Sequence, residues 1–153
     1  MSTNLTAVLQ ELLQNTSNLK VLRQLMTPDV TYVSLNFDNP ELKKLCPGLA
    51  PTRGLRRCPM SLRRSNATGK HSTSRSLYTI EQGNRISLFG SFAYKSNATG
   101  KEITSPFGLL ARFEGDKVAY VQFLEDSYGT AGSFKTGGGT RFQSDPLGKE
   151  VEV

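Results

Sequence analysis

Apolar residues Leu5, Val8, Leu9, Leu12 and Leu13 recur at three- and four-residue spacings, break off over residues 15–18, and resume at Leu19, Val21, Leu22, Leu25 and Met26. That period predicts one kinked helix or two short helices over residues 4–27, with a single apolar stripe to bury. Ser2 or Thr3 is placed to cap the start, and Pro28 is a stop signal. The period then falls to two. Residues 30–37 (VTYVSLNF) are rich in β-branched and aromatic side chains and end in Asp38-Asn39-Pro40, which predicts a strand and a turn. Four more strands, antiparallel in sequence order, are expected at residues 77–81, 85–94, 102–113 and 117–126, punctuated by Gly83-Asn84, a polar turn at 96–101, and Gly115-Asp116. In the 85–94 strand Ile86, Leu88, Phe92 and Tyr94 share a face, with Gly90 marking a bend or close approach. Pro106 predicts a bulge or an edge position. Residues 129–153 are Gly-rich and polar, a loose tail contributing at most one last strand. The expected organisation is one domain over residues 1–134 and a tail over 135–153.

Composition narrows the class. A chain of 153 residues fits one core and excludes a multidomain enzyme. With 37% hydrophobic and 21% charged residues, and no apolar run near the roughly 18 to 20 residues of a membrane span, a soluble domain without a membrane partner is expected. The first residues lack a basic segment followed by an apolar stretch, so a cytoplasmic location is expected. Cys46 and Cys58 make no disulfide framework and His71 is the only histidine. Ser-His-Asp, Cys-His and His-rich zinc chemistry are thereby removed, and no metal or cofactor is expected.

The formal net charge of +6 is localised. Residues 47–76 contain seven basic residues and no acidic one, while the remainder holds 12 basic against 13 acidic. The hexapeptide SNATGK occurs at 65–70 and 96–101, but its flanks differ, so it is not a structural repeat.

Helices, a strand with a DNP turn, then an antiparallel meander is an order that resembles the NTF2-like, or SnoaL-like, α+β cone. The wording is similar too, in LMTPDVTYVSLNFDNPELKKLCP and in GNRISLFGSFAYKSNATGKEITSPFGLLARFEGDKVAYVQFLEDSYGTAGSF. The resemblance covers residues 4–47 and 77–134 and is nearest to a bacterial SnoaL-like subgroup. It implies N-terminal helices packed on a curved antiparallel sheet. It also implies a small hydrophobic carbonyl ligand, proton transfer of the isomerase or cyclase type, and a homodimer formed through the outer sheet face. The same cone also serves non-catalytic ligand-binding and docking modules.

The stretch GLAPTRGLRRCPMSLRRSNATGKHSTSRS departs from that subgroup, which carries there a Trp-Ala-Gly-Thr-like loop and an amphipathic helix ending near Tyr-Trp. Regrouping a GC-rich back-translation by one nucleotide permits such a loop and helix and rejoins the present frame at Leu77. A frame shift over residues 48–76 is one reading. The other is a genuine basic loop or nucleic-acid arm, although the segment has no aromatic residue to stack on bases. Reading the gene across codons 46 to 78 separates them. Clean reads in the present frame, with relatives sharing the basic block, would remove the frame-shift reading.

The resemblance implies a pocket carboxylate, whose pKa burial would raise toward neutrality. Asp126 is the first candidate, because it shares strand parity with Tyr120, Gln122 and Leu124. Glu125 has the opposite parity and is expected to face away unless a bulge changes the register. Tyr32 is a candidate phenolic donor, and Asp38 a rim acid or an ordinary turn residue. Tyr94, Phe92, Leu88 and Tyr120 are candidate ligand contacts. Arg112 is either an anion contact or an outward-facing side chain. Tyr128 is ambiguous between contact and packing.

Overall fold

The computed structural model describes residues 4–16, 18–34, 39–45, 52–54 and 69–153. Two short helices come first, α1 (Leu5–Gln14) and α2 (Leu19–Leu25). The break between them is a double cap. Asn15 closes α1 with its N–H on Leu12, and Asn18 opens α2 by accepting from the N–H groups of Lys20 (3.1 Å) and Val21 (3.4 Å). Asn4 caps α1, accepting from Ala7 at 3.0 Å, where Ser2 or Thr3 had been expected; those two lie outside the described residues. Strand β1 (Met26–Ser34) begins before Pro28. After it, Asn39 accepts from the N–H of Glu41 and Pro40 takes the first position of α3 (Pro40–Leu45). The Asn39-Pro40 pair thus starts a helix, a role suited to a residue whose φ is preset and whose N–H would be unused.

The strands β2 (Thr52–Arg53), β3 (Gly69–Gln82), β4 (Arg85–Ser96), β5 (Glu102–Glu114) and β6 (Lys117–Glu125) join β1 in one sheet of order β2-β1-β6-β5-β4-β3. The meander β3 to β6 is antiparallel, as the turn signals predicted, whereas β1 lies parallel to β6. Gly83 and Gly115 hold positive φ of 59° and 62° in the two tightest hairpins. Asn84 locks one hairpin end, donating through Nδ2 to the Phe113 carbonyl (2.9 Å) while its own carbonyl accepts from the Phe113 N–H (2.8 Å). Strand β3 starts at Gly69, eight residues ahead of the strand expected at 77–81, and its ladder with β4 shifts register between His71 and Thr73 and again between Ser76 and Tyr78.

The core lies between the helices and one face of the sheet. Leu9, Leu12 and Leu22 meet Met26, Val30, Ile86, Leu88, Leu109, Ala111, Phe113 and Val121, all buried. Pro106 occupies a local edge: its β4 partner is Ser91, but the β5–β6 ladder ends one residue later at Phe107–Glu125. Beyond β6 the chain forms α4 (Ser127–Phe134), in place of the loose start of a tail. A small hairpin of β7 (Arg141–Phe142) and β8 (Val151–Glu152) follows. Among the described residues no helix is long and apolar enough to cross a membrane.

Candidate functional site

The inner face of the sheet is traced by its ladders. Leu88 lies opposite Leu109, Phe92 opposite Ser105, Leu109 opposite Phe123, and Phe107 opposite Glu125. Strand β1 adds Tyr32 beside Val121 and Ser34 beside Phe123. Three aromatic rings cluster here: Phe107 and Phe123 stack at 5.2 Å between centroids, and Phe92 lies 5.9 Å from Phe123 and 6.2 Å from Phe107. At the next position along β4, Tyr94 meets the edge of Phe134 from α4 at 6.3 Å.

Glu125 is the carboxylate on this apolar face. Its pKa is raised to about 7 from an ordinary 4.5, chiefly because burial strips water from the charged form; the neighbouring charge of Asp126 adds to the rise and a hydrogen bond from Thr130 opposes it. That bond runs from Thr130 Oγ1 to Glu125 Oε1 at 2.9 Å.

Asp126, the sequence-based candidate, is exposed and takes a different task. It is the N-cap of α4 and accepts from the Gly129 N–H at 2.9 Å, while its own N–H donates to the buried Ser105 hydroxyl at 2.9 Å. Replacing Asp126 by Ala is expected to cost about 1 kcal/mol in urea denaturation, and Asn should restore most of it because its side-chain oxygen caps as well.

The exchange of faces has an identifiable cause. Phe113 pairs with Val118 and Arg112 with Tyr120, so Ala119 is an extra residue in β6 and the alternation slips by one. Val121, Phe123 and Glu125 therefore face the core, while Tyr120, Gln122 and Leu124 face outward. A signal existed in the sequence: polar Gln122 between Val121 and Phe123 marks the odd positions as the apolar face. The same slip removes the expected Tyr120 contact, and Arg112 takes the outward-facing alternative that its own parity in β5 sets. Tyr120 sits on the outer face and its hydroxyl donates to Gln122 Oε1 at 3.3 Å. Arg112, its cross-strand partner, is exposed and 3.7 Å from Glu114. Tyr32, Leu88, Phe92 and Tyr94 are on the inner face and buried. Tyr128 is exposed and packs edge-on against Phe142. Asp38 lies outside the described residues, as do both cysteines and most of the arginine-rich segment. Among the described residues no group of three or more His, Cys, Asp or Glu side chains is placed to hold a metal ion.

A sheet wrapped on one side by helices, with a carboxylate on its apolar inner face, defines the NTF2-like α+β cone. An NTF2-like protein of unknown function from Burkholderia pseudomallei superposes with a TM-score of 0.75 over 88% of this chain and 99% of its own, at 16% identity. TerC, crystallised with polyporic acid, gives a TM-score of 0.72 over 86% and 98% at 16% identity. No protein-family model matches the chain. In sequence, the chain is 32% identical over 132 residues to patulin synthesis protein F of Aspergillus clavatus, and it belongs to the family of that protein. The patulin biosynthesis cluster protein F of Penicillium expansum is 29% identical over the same length. The matches take in 84% of this chain and about two thirds of each relative, 67% and 66%. Both relatives are fungal, whereas the resemblance of the sequence motifs implied a bacterial subgroup.

Proposed function

We propose that the protein binds a small hydrophobic carbonyl compound against the Phe92, Phe107 and Phe123 wall and transfers a proton alpha to its carbonyl, in a reaction of the isomerase or cyclase type. The observation that carries this reading is Glu125, a carboxyl group on an apolar face with a pKa of about 7. A base or acid with that pKa holds both protonation states near neutral pH, as general acid–base catalysis requires. Leu88 and Tyr94 extend the wall, and Tyr32 is the phenolic donor proposed for the developing enolate oxygen. The names of the relatives place them in the synthesis of patulin, and TerC, of the same fold, was co-crystallised with polyporic acid; both fit a role in small-molecule biosynthesis.

The test is hydrogen exchange on a panel of apolar ketones and enones in deuterated buffer, followed by proton NMR. Catalysed loss of the alpha-proton signal supports the enzyme reading. Saturable binding without exchange supports a non-catalytic ligand-binding module instead.

We also propose a homodimer through the outer face of the sheet. Tyr78, Phe89, Gly108 and Leu124 are cross-strand neighbours in one row, and Ile80, Ser87, Leu110 and Gln122 form the next. Eight neighbouring positions without a charge, five of them bearing large exposed apolar side chains, exceed what a lone surface scatters by chance. The Phe89 ring lies over Gly108, where an added Cβ would sit 3.4 Å from it, so the patch is level enough to meet a second sheet. Leu110→Glu is expected to leave the fold intact and shift sedimentation from dimer to monomer; an unchanged dimer would place the interface elsewhere.

A further inference from the structure

Among the described residues, the inner carboxylate is gripped from one side only. Thr130 is buried and sits one turn into α4, and its hydroxyl donates to Oε1 of Glu125 at 2.9 Å. Oε2 makes no hydrogen bond to a described residue. The helix that carries Thr130 is itself held at both ends. At its start Asp126 caps it, and the Asp126 N–H donates to Ser105, which is buried and whose hydroxyl in turn donates to the Pro106 carbonyl at 2.7 Å. At its end Ser133 donates to the Thr130 carbonyl at 2.6 Å, and the Ser133 carbonyl accepts from the Thr99 hydroxyl in the β4–β5 turn. Thr130 therefore has little freedom to follow Glu125 if that side chain changes rotamer.

We propose that Thr130 is the positioning residue of the site: it fixes Oε1 of Glu125 and reserves Oε2 as the oxygen that takes and returns the proton. The assignment rests on Glu125 being the proton-transfer group, and it extends that reading to which of the two oxygens works. Its logic is that of the two protonation states. A threonine hydroxyl can donate to Oε1 whether Glu125 is ionised or carries a proton on Oε2, so one hydrogen bond persists through the cycle while the other oxygen alternates. The bond is stronger to the ionised form, so it also sets the proton affinity. The remaining groups near this carboxylate are consistent with a single local control. Strand β5 brings Ser105 and Phe107, β1 and β4 bring the titratable Tyr32 and Tyr94 to the same face, and α3, packed on α4, carries Glu41 and Lys44 exposed to solvent. Asp126, adjacent in the chain, is the charged neighbour that acts on Glu125.

The experiment is titration of the Glu125 carboxyl carbon by NMR in selectively labelled protein, comparing the parent with Thr130→Val, Thr130→Ala and Thr130→Ser. Valine and alanine both remove the hydroxyl, so one suffices if the other fails to fold. The expected result is a midpoint moved upward by about one pH unit in either, with serine returning it to the parent value. In the exchange assay the valine variant should show the same upward displacement of its pH profile, with kcat reduced about tenfold at neutral pH and KM little changed. An unmoved midpoint in a folded valine or alanine variant overturns the proposal, as does a serine variant that titrates like valine. The two readings fail separately. Loss of the Glu125 role would show as exchange that survives in Glu125→Gln, whereas the titration reads Thr130 without any substrate.

Discussion

Glu125→Gln is expected to lower carbonyl-alpha proton exchange by about 10²- to 10⁴-fold, the range a positioned acid–base group supplies, while the apolar ligand still binds. The amide keeps the shape of the carboxyl group and can accept from Thr130, so packing at Phe107 and Phe123 is preserved. Parent activity should rise with pH through about 7 as Glu125 ionises to act as base, and the residual rate of the variant should lack that step. The same substitution has a stability signature of determined sign. Glu125 titrates near 7 in the fold and near 4.5 when unfolded, so its protonated form favours the native state. That contribution is complete below pH 4.5 and is lost as pH rises through about 7. Glutamine mimics the protonated group at every pH. Thermal unfolding should therefore show the variant gaining on the parent between pH 5 and pH 8, and a constant difference would contradict a raised pKa. Asp126→Asn should leave exchange largely in place, since Asp126 works as a helix cap.

The second large effect is structural. Phe113→Ala should cost about 3 to 5 kcal/mol in urea denaturation, a substantial part of the roughly 5 to 15 kcal/mol that holds a domain together. Phe113 is fully buried, opposite Val118, at the end of β5 that Asn84 clamps. It is the largest fully buried side chain among the described residues, and no neighbour can fill the void without moving a strand. Phe142→Ala is the control. That ring is exposed in the β7–β8 hairpin and meets the also exposed Tyr128, so its removal should change stability by no more than about 0.5 kcal/mol. Equal costs at the two positions would mean that the hairpin shares the core after all.

What the sequence disclosed follows from where physics is local. The stripe Leu5, Val8, Leu9, Leu12, Leu13 predicts a helix because one face must be buried, and each of those residues packs into or against the core. Gly83 and Gly115 predict hairpins because those turns need positive φ. The alternation of Leu88, Phe92 and Tyr94 located the buried face of β4. The parallel pairing of β1 with β6 was not legible, because contact between residue 32 and residue 121 leaves no trace in either neighbourhood. Helix α4 was hidden by its weak composition, SYGTAGSF, in which two glycines oppose helix formation and a cap plus tertiary contacts overcome them. Residues 69–76 lack a strand-like pattern and still pair with β4, since a ladder is made by backbone groups that every residue but proline supplies.

The slip at Ala119 has a consequence for how such a site changes over time. Two acids stand side by side, and whether Ala119 bulges out or pairs decides which of them is desolvated. Pairing Ala119 directly with Arg112 while Val118 stays anchored would carry Asp126 to an inward place opposite Ser105 and turn the glutamate out to water. A shorter side chain would then hold the proton, about one methylene further from any ligand, and α4 would lose its cap in the same step. Reactivity and helix initiation are thus coupled through the pairing of one strand, so a single codon gained between the bulge and Glu125 could move the chemistry between two adjacent positions while the core residues on either side keep their identities.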